Sequence, residues 1–308
     1  MQLSGVAMIV FITGINGQVG YEAANIFALR GCSVYGSGRS EHYRGLPLNN
    51  NVRYLQLDIT DEKAVRAAFE NVCPDVVVHC AAWTAVDAAE KPENLKAVRA
   101  VNVTGTENIA KACRTHAAKM IYLSTDYVFS GTGTEPWRPD DHNYAPLNVY
   151  GQSKLDGERA VAARLDDFFI VRTAWVFGAN GNNFVKTMLR AGKTHEQVRV
   201  VYDQVGSPTY AKDLARLLAD MSETELYGYY HATNEGEYIS WYEFCCEIYR
   251  QAGLMTRVVP VSSEEYGLSA AARPFNSRLD RSKLKEYGFV PLPPWQDALK
   301  HYLREIGE

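Results

Sequence analysis

No run in this 308-residue chain approaches the roughly 18 consecutive apolar residues that cross a bilayer, so no membrane span is expected. There is no C-x-x-C pair among Cys32, Cys73, Cys80, Cys113, Cys245 and Cys246. Their mostly apolar surroundings point instead to reduced core thiols in a cytoplasmic protein. An excess of charge is missing too. Lys+Arg number 32 against Asp+Glu 36, a formal net charge of -4. That balance argues against nucleic acid as the main partner and leaves room for a local basic pocket that takes a small anion. Repeats and low-complexity tracts are absent, and 46% hydrophobic with 22% charged residues excludes disorder, collagen and coiled coil. Ahead of Met8, read as a natural start, no basic segment leads into an apolar stretch and cleavage site, so no signal peptide is expected. A chain this long buries most of its surface without a disulfide or metal staple. The length fits about two domains, or one large α/β unit with an appendage.

What is present is an alternation. Strand-like runs at 9–13, 33–36, 52–58, 75–80, 119–124 and 168–173 alternate with helical periodicity over 18–30, 61–71, 95–116 and 148–164. Thr60 before Asp61-Glu62 predicts an N-cap with acids in the first turn, and Gly31 predicts a helix stop. This order implies right-handed βαβ units and a parallel sheet covered on both faces, as the continuous Val76-Val77-Val78 run suggests. After 173 the rhythm loosens. Helices are expected near 183–191, 212–221, 240–252 and 295–306, with strands near 198–202, 228–232 and 258–261. The expected fold is α/β: a Rossmann-type doubly wound parallel sheet with a smaller mixed α/β C-terminal substrate lobe. Residues 8–173 would form the NAD(P)-binding domain, with a returning segment at 198–221, and 174–308 the lobe.

Gly14-Ile15-Asn16-Gly17-Gln18-Val19-Gly20 follows the first strand and opens the first helix. Glycines at this spacing permit a tight turn and let backbone N–H groups approach a pyrophosphate at the positive helix end. The strand-before, helix-after setting is what the motif requires. Gly14, Asn16, Gly17, Gln18, Val19 and Gly20 are therefore cofactor candidates. The second strand ends in Gly36-Ser37-Gly38-Arg39-Ser40. An acid usually stands there to hold a ribose 2′-hydroxyl, whereas Arg39 and Ser40 suit a 2′-phosphate. NADPH is expected, with NADH possible. Asp58 and Ile59 close the third strand, where an adenine edge would fall. Ala81 and Ala82 follow the fourth, where small side chains leave room for the cofactor.

Tyr150-Gly151-Gln152-Ser153-Lys154 places a tyrosine and a lysine at i and i+4, on one face of a helix. Upstream, Ser124-Thr125-Asp126 ends the fifth strand, at the carboxyl edge where such sheets bind ligands. Carbonyl reduction by hydride needs a proton on the developing alkoxide. Bringing a tyrosine from about 10 to near 7 takes roughly 4 kcal/mol of phenolate stabilisation. A Lys154 cation would supply part of it, and Thr125 would hydrogen-bond the substrate oxygen.

At these residues the chain resembles the extended short-chain dehydrogenase/reductases, and within them the dTDP-4-dehydrorhamnose reductases. The narrower blocks are Ala81-Ala82-Trp83-Thr84-Ala85-Val86-Asp87, Ser124-Thr125-Asp126-Tyr127-Val128-Phe129, Arg172-Thr173-Ala174-Trp175-Val176-Phe177-Gly178, Gly181-Asn182-Asn183-Phe184 and Arg273-Pro274-Phe275-Asn276-Ser277-Arg278. The resemblance implies NAD(P)H-dependent reduction of the 4-keto group of dTDP-4-dehydro-L-rhamnose to dTDP-L-rhamnose, the last step of dTDP-rhamnose biosynthesis. Hydride would come from nicotinamide C4. Thr125, Tyr150 and Lys154 match the family's catalytic residues, with Asp126 lining the same site. Trp175, Asn182, Asn183 and Arg273 match positions near the sugar nucleotide, and the Trp175 indole would stack on thymine. By charge, Arg172, Lys186 and Arg273 would serve its diphosphate. Some family members hold Mg2+ at a dimer contact made of glutamates. Glu22 stands where one such glutamate would be, but no partner acid near the C-terminus is matched. No metal ligand is assigned, and Mg2+ and the choice between monomer and homodimer stay open.

Other activities fit less well. A 4,6-dehydratase would carry a glutamate directly after the Thr-Asp pair, where this chain has Tyr127. An epimerase would retain its cofactor and show no net oxidation. Reduction of another keto-sugar nucleotide stays open. So does a non-catalytic role like that of the regulatory β subunit of methionine adenosyltransferase, which shares fold and motifs. Trp175-Val176-Phe177-Gly178 and Gly181-Asn182-Asn183-Phe184 favour the reductase.

Overall fold

The structure, a computed structural model, describes residues 7–267 and 269–308. The segment 1–6, which carries most of the leader reading, lies outside the described residues. In chain order the first half runs β1 (Ile9–Thr13), α1 (Gln18–Leu29), β2 (Ser33–Gly38), β3 (Val52–Gln56), α2 (Glu62–Val72) and β4 (Val76–His79). It continues with α3 (Val86–Ala89), α4 (Leu95–Arg99), α5 (Thr106–His116), β5 (Lys119–Thr125), α6 (Val149–Ala162) and β6 (Phe168–Thr173). These six strands and Gly228–His231 form one seven-stranded parallel sheet, ordered Gly228–His231, β6, β5, β4, β1, β2, β3. The chain runs outward from β1 to β3, then returns to β4 and runs the other way. The carboxyl ends of β1 and β4 flank the crevice where the order reverses, the usual ligand site of such sheets.

Both faces are covered, as the apolar strands require. On one side α1 packs against α8 (Ala211–Ser222) over Val10, Ile12, Val76 and Val171. On the other, Phe69 of α2 and Ile109 of α5 cover Phe11, Val77 and Ile170. The C-terminal lobe has its own core. There α7 (Phe184–Thr194), helix Trp241–Ala252 and helix Trp295–Glu305 enclose Phe177, Tyr210, Phe244 and Tyr302. Of the segment 198–221, the strand Gln197–Val201 stays in the lobe, pairing with Arg257–Val261. Its helix α8 returns to the sheet, and the strand that then joins β6 is Gly228–His231.

Three local details differ from expectation. The N-cap of α2 is Asp61, whose carboxylate accepts from the N–H groups of Lys63 and Ala64; Thr60 instead turns back to Asp58. The single helix expected over 95–116 widens into π-turns at Ala100–Gly105. Ile59 packs where a Gly105 side chain would stand, and the Asn102 amide leaves the helix face to clamp the Trp83 backbone and the Ser153 hydroxyl. π-Bulges of this kind are frequent at functional sites. Among the cysteines, all unpaired, Cys73 is exposed rather than buried, at the left-handed C-cap of α2. No helix of the described residues is long and apolar enough to cross a membrane.

Candidate active site

The glycine loop is built for close approach. Gly14 has φ +72, and a Cβ there would lie 2.6 Å from the Ala81 backbone nitrogen. A Cβ on Gly20 would strike the Gly14 carbonyl. Gly17 is the N-cap of α1 and offers no side-chain cap, which leaves the positive end of the helix to a ligand. The cradle fits a dinucleotide pyrophosphate. Arg39 lies exposed just past β2, beside Ser40, whose carbonyl accepts from Tyr54. Asp58 is exposed and spends one oxygen on Thr60, while Ile59 is buried. Asn16 accepts from the Arg44 N–H, and Gln18 donates to the Val176 carbonyl of the lobe.

Below the loop lies a pair the sequence reading missed. His79 Nδ1 is 2.7 Å from the Thr13 hydroxyl and Nε2 is 3.0 Å from that of Thr106. Burial, helped by the Lys154 charge, lowers this imidazole to about 3, so it stays neutral. The Thr13 oxygen in turn accepts from the Ala81 N–H at 3.2 Å. A lone histidine closing an apolar strand carries no sequence signal for such a role.

The three chemical residues converge at the carboxyl edge. Thr125 ends β5, opposite Thr173 of β6, and Tyr150 and Lys154 come from α6. The Asn148 side chain caps that helix by accepting from the Gly151 N–H at 2.8 Å. Gly151 lets the first turn lie on the Tyr127 backbone, and Gly157 lets the third lie on Tyr122 and Asn102. The Tyr150 ring meets Tyr127 edge-on, centroids 5.6 Å apart. Burial raises the Tyr150 phenol, Asp126 and Tyr127 push it further, and contact with Thr125 draws it back. The expected offset by Lys154 is not what acts here. Its ammonium donates to the Leu123 carbonyl at 2.7 Å and sits 4.1 Å from the centre of the Tyr122 ring. Burial lowers Lys154 to about 7, with Glu158 working against the shift. Asp126 accepts from Thr125 at 2.9 Å, while its other oxygen is buried without a partner. Burial raises that carboxyl to about 6.

The expected substrate residues divide. Arg273 stands at the mouth, donating to Asp87 at 2.6 Å and to the Tyr127 hydroxyl at 3.3 Å. Asn182 is exposed on the loop ahead of α7. Asn183 is a correction: its oxygen caps α7 through the Lys186 N–H, and its NH2 donates to Gly178, Gln18 and Tyr302. With its amide so committed it serves the fold and not a sugar. Trp175 is another. Its backbone is left-handed, φ 51, and its indole stacks on Trp241 at 3.7 Å, so one face is closed to a base. Arg172 is wholly buried and paired with Glu158, and cannot reach a diphosphate. The Lys186 ammonium is spent on the Ala179 and Gly181 carbonyls.

The acids of one chain do not by themselves complete a divalent-ion site. Glu22 is buried with one oxygen unpartnered, and burial together with Glu305 raises it to about 7. Glu305 is the acid that acts on Glu22, and Lys212 holds it at 2.8 Å, so within the chain an ammonium supplies the positive charge. Among the described residues no three His, Cys, Asp or Glu gather as a metal site.

A family model described as RmlD substrate binding domain matches residues 8–307. The dTDP-4-dehydrorhamnose reductase of Streptomyces griseus is 42% identical over 295 residues, covering 94% of this chain and 90% of that protein. The spore coat polysaccharide biosynthesis protein SpsK of Bacillus subtilis is 38% identical over 296 residues, covering 96% and 97%. A crystal structure of dTDP-4-dehydrorhamnose reductase from Bacillus anthracis in complex with NADP superposes with a TM-score of 0.85 at 38% identity, covering 97% of this chain and 100% of that one.

Proposed function

The chain belongs to the RmlD substrate binding domain family, and from that premise we propose that it reduces dTDP-4-dehydro-L-rhamnose to dTDP-L-rhamnose with NADPH, NADH being the alternative donor. The observation that carries this reading is the meeting of Thr125, Tyr150 and Lys154 at the strand ends beside the glycine cradle. Residues 8–173 take the cofactor and the lobe beyond 174 takes the sugar nucleotide. When bound, the reduced nicotinamide supplies the hydride for sugar C4. Tyr150 delivers the proton to the O4 oxygen as charge develops on it; a phenol is protonated at neutral pH, and burial, by raising it further, holds the proton back until that charge forms. Thr125, in contact with both Asp126 and Tyr150, orients the phenol. Lys154 does not lower the resting phenol; it holds the ribose and, one turn from Tyr150 on α6, its charge offsets the phenolate that appears on transfer. Arg273 meets the sugar nucleotide at the mouth, and Asn182, exposed ahead of α7, meets another part of it. The six unpaired thiols support a cytoplasmic setting.

The test is loss of reduced-nicotinamide absorbance on adding freshly made dTDP-4-dehydro-L-rhamnose. Turnover is expected, and Tyr150→Phe should abolish it while leaving NADPH binding intact. No turnover by the wild-type protein would refute the assignment. Full activity in the variant would remove Tyr150 as the acid.

A further inference from the structure

One buried carboxylate ties together the elements that carry the chemistry. Glu158 lies on α6 one turn beyond Lys154, which is itself one turn beyond Tyr150, so the three share a face. It is 1% exposed. The Ser124 hydroxyl, next in sequence to Thr125, donates to Glu158 Oε1 at 2.5 Å. Arg172 of β6, paired in register with Ser124, donates to both carboxylate oxygens at 2.9 and 2.8 Å. Arg172 also donates to the Pro139 carbonyl and the Tyr144 hydroxyl, and its guanidinium lies about 5 Å from the Phe129, Tyr144 and Tyr229 rings. A bidentate pair this well satisfied fixes geometry as well as charge.

We propose that Glu158 is a positioning residue: held by Ser124 and Arg172, it locks the Tyr150–Lys154 face of α6 against the strand that carries Thr125 and supplies the counter-charge to Lys154. The inference rests on the reductase reading above. The groups facing Lys154 are few. Glu158 and Tyr150 come from its own helix, Cys80 and His79 from the end of β4, and Tyr122 from β5, with Arg172 behind Glu158. Cys80 is raised to about 12 by burial and His79 is neutral, which leaves Glu158, among the described residues, as the anion acting on the ammonium at neutral pH.

The experiment is the pH profile of kcat/KM at saturating NADPH for wild type, E158Q and the E158Q/R172M double variant, each checked by thermal melting. Losing the anion makes Lys154 easier to deprotonate, so the alkaline limb should move about one pH unit down in E158Q. In the double variant it should move the same way by less, because a repelling cation has gone too. At the acid end KM for the sugar nucleotide should hold while kcat falls. A merely structural pair would lower melting temperature without moving the limb. An unmoved limb in either folded variant overturns the proposal, as does failure of both to fold, which would make the pair a folding element only. Absence of turnover in the wild type would instead overturn the reductase reading.

Discussion

Gly157→Ala puts the packing of the catalytic helix to the test. A Cβ at Gly157 would lie 2.8 Å from the Asn102 carbonyl oxygen, with the Tyr122 hydroxyl nearer still. That is about 0.6 Å short of an ordinary contact in a close-packed interior. Asn102 is held on Trp83 and Ser153, so the strain passes to α6 and to the Tyr122 ring on which Lys154 rests. In stability, overpacking costs about 1–3 kcal/mol. Replacing a helical glycine returns about 1 kcal/mol, so the net loss is roughly 0–2 kcal/mol. In rate the same shift matters more. A misplacement of about 1 Å at a reacting group costs on the order of 100-fold, so a retreat of about half that predicts roughly a tenfold fall in kcat, or about 1.4 kcal/mol. NADPH affinity should fall less than kcat, because the glycine cradle lies on another element and only the Lys154 contact with the ribose moves with α6. Steady-state turnover with thermal melting reads both quantities. Wild-type kcat in a variant that melts normally would refute the argument that helix approach sets the site.

Other perturbations separate cofactor choice, charge and metal. Arg39→Ala removes a charge-assisted contact worth about 1.5–3 kcal/mol, so NADPH affinity should fall roughly 10–100-fold while NADH changes little; equal losses would clear Arg39 of the 2′-phosphate role. Asp126 ionises at 3.8 in an unfolded chain and at about 6 when buried, so the folded state loses stability as pH rises through that window. The cost at pH 7 is about 3 kcal/mol, and Asp126→Asn should melt higher there, with the advantage vanishing near pH 4; an unchanged difference across that range would contradict the shift. With Lys212 supplying the cation beside Glu22 and Glu305, EDTA should alter neither melting temperature nor kcat. A loss restored by Mg2+ would show otherwise.

The fold was legible where the signal is local. Continuous apolar strands and the 3.6 period of the helices between them follow from burial on two faces, and Tyr150 with Lys154 follows from helical spacing. What could not be seen depends on distant partners. Arg172 looks like any cation until Glu158 and the aromatic ring walls surround it. That one face of Trp175 is taken by Trp241, which arrives from 66 residues downstream, is likewise invisible in the local sequence. Asn183 did carry a local signal, since an asparagine ahead of an amphipathic run is a cap. The resemblance outweighed it. The π-turns at Ala100–Gly105 come from contacts of Ile59 and Trp83, which periodicity within 95–116 does not contain.

The seam between the cofactor loop and the lobe is made of neutral amides. Asn180 donates to the Asn16 carbonyl at 2.8 Å, Gln18 donates to Val176, and Asn183 donates to Gln18. Carboxamides do not titrate, so neither salt nor pH loosens this seam directly. Its weakness is age. Asn16 and Asn180 each precede a glycine, the neighbour that most readily lets an asparagine cyclise and lose its amide nitrogen, and heat hastens the loss. Each such event would leave a carboxylate beside the glycine cradle, where an incoming phosphate would meet a charge of its own sign. Stored protein should therefore lose cofactor affinity before it loses its fold.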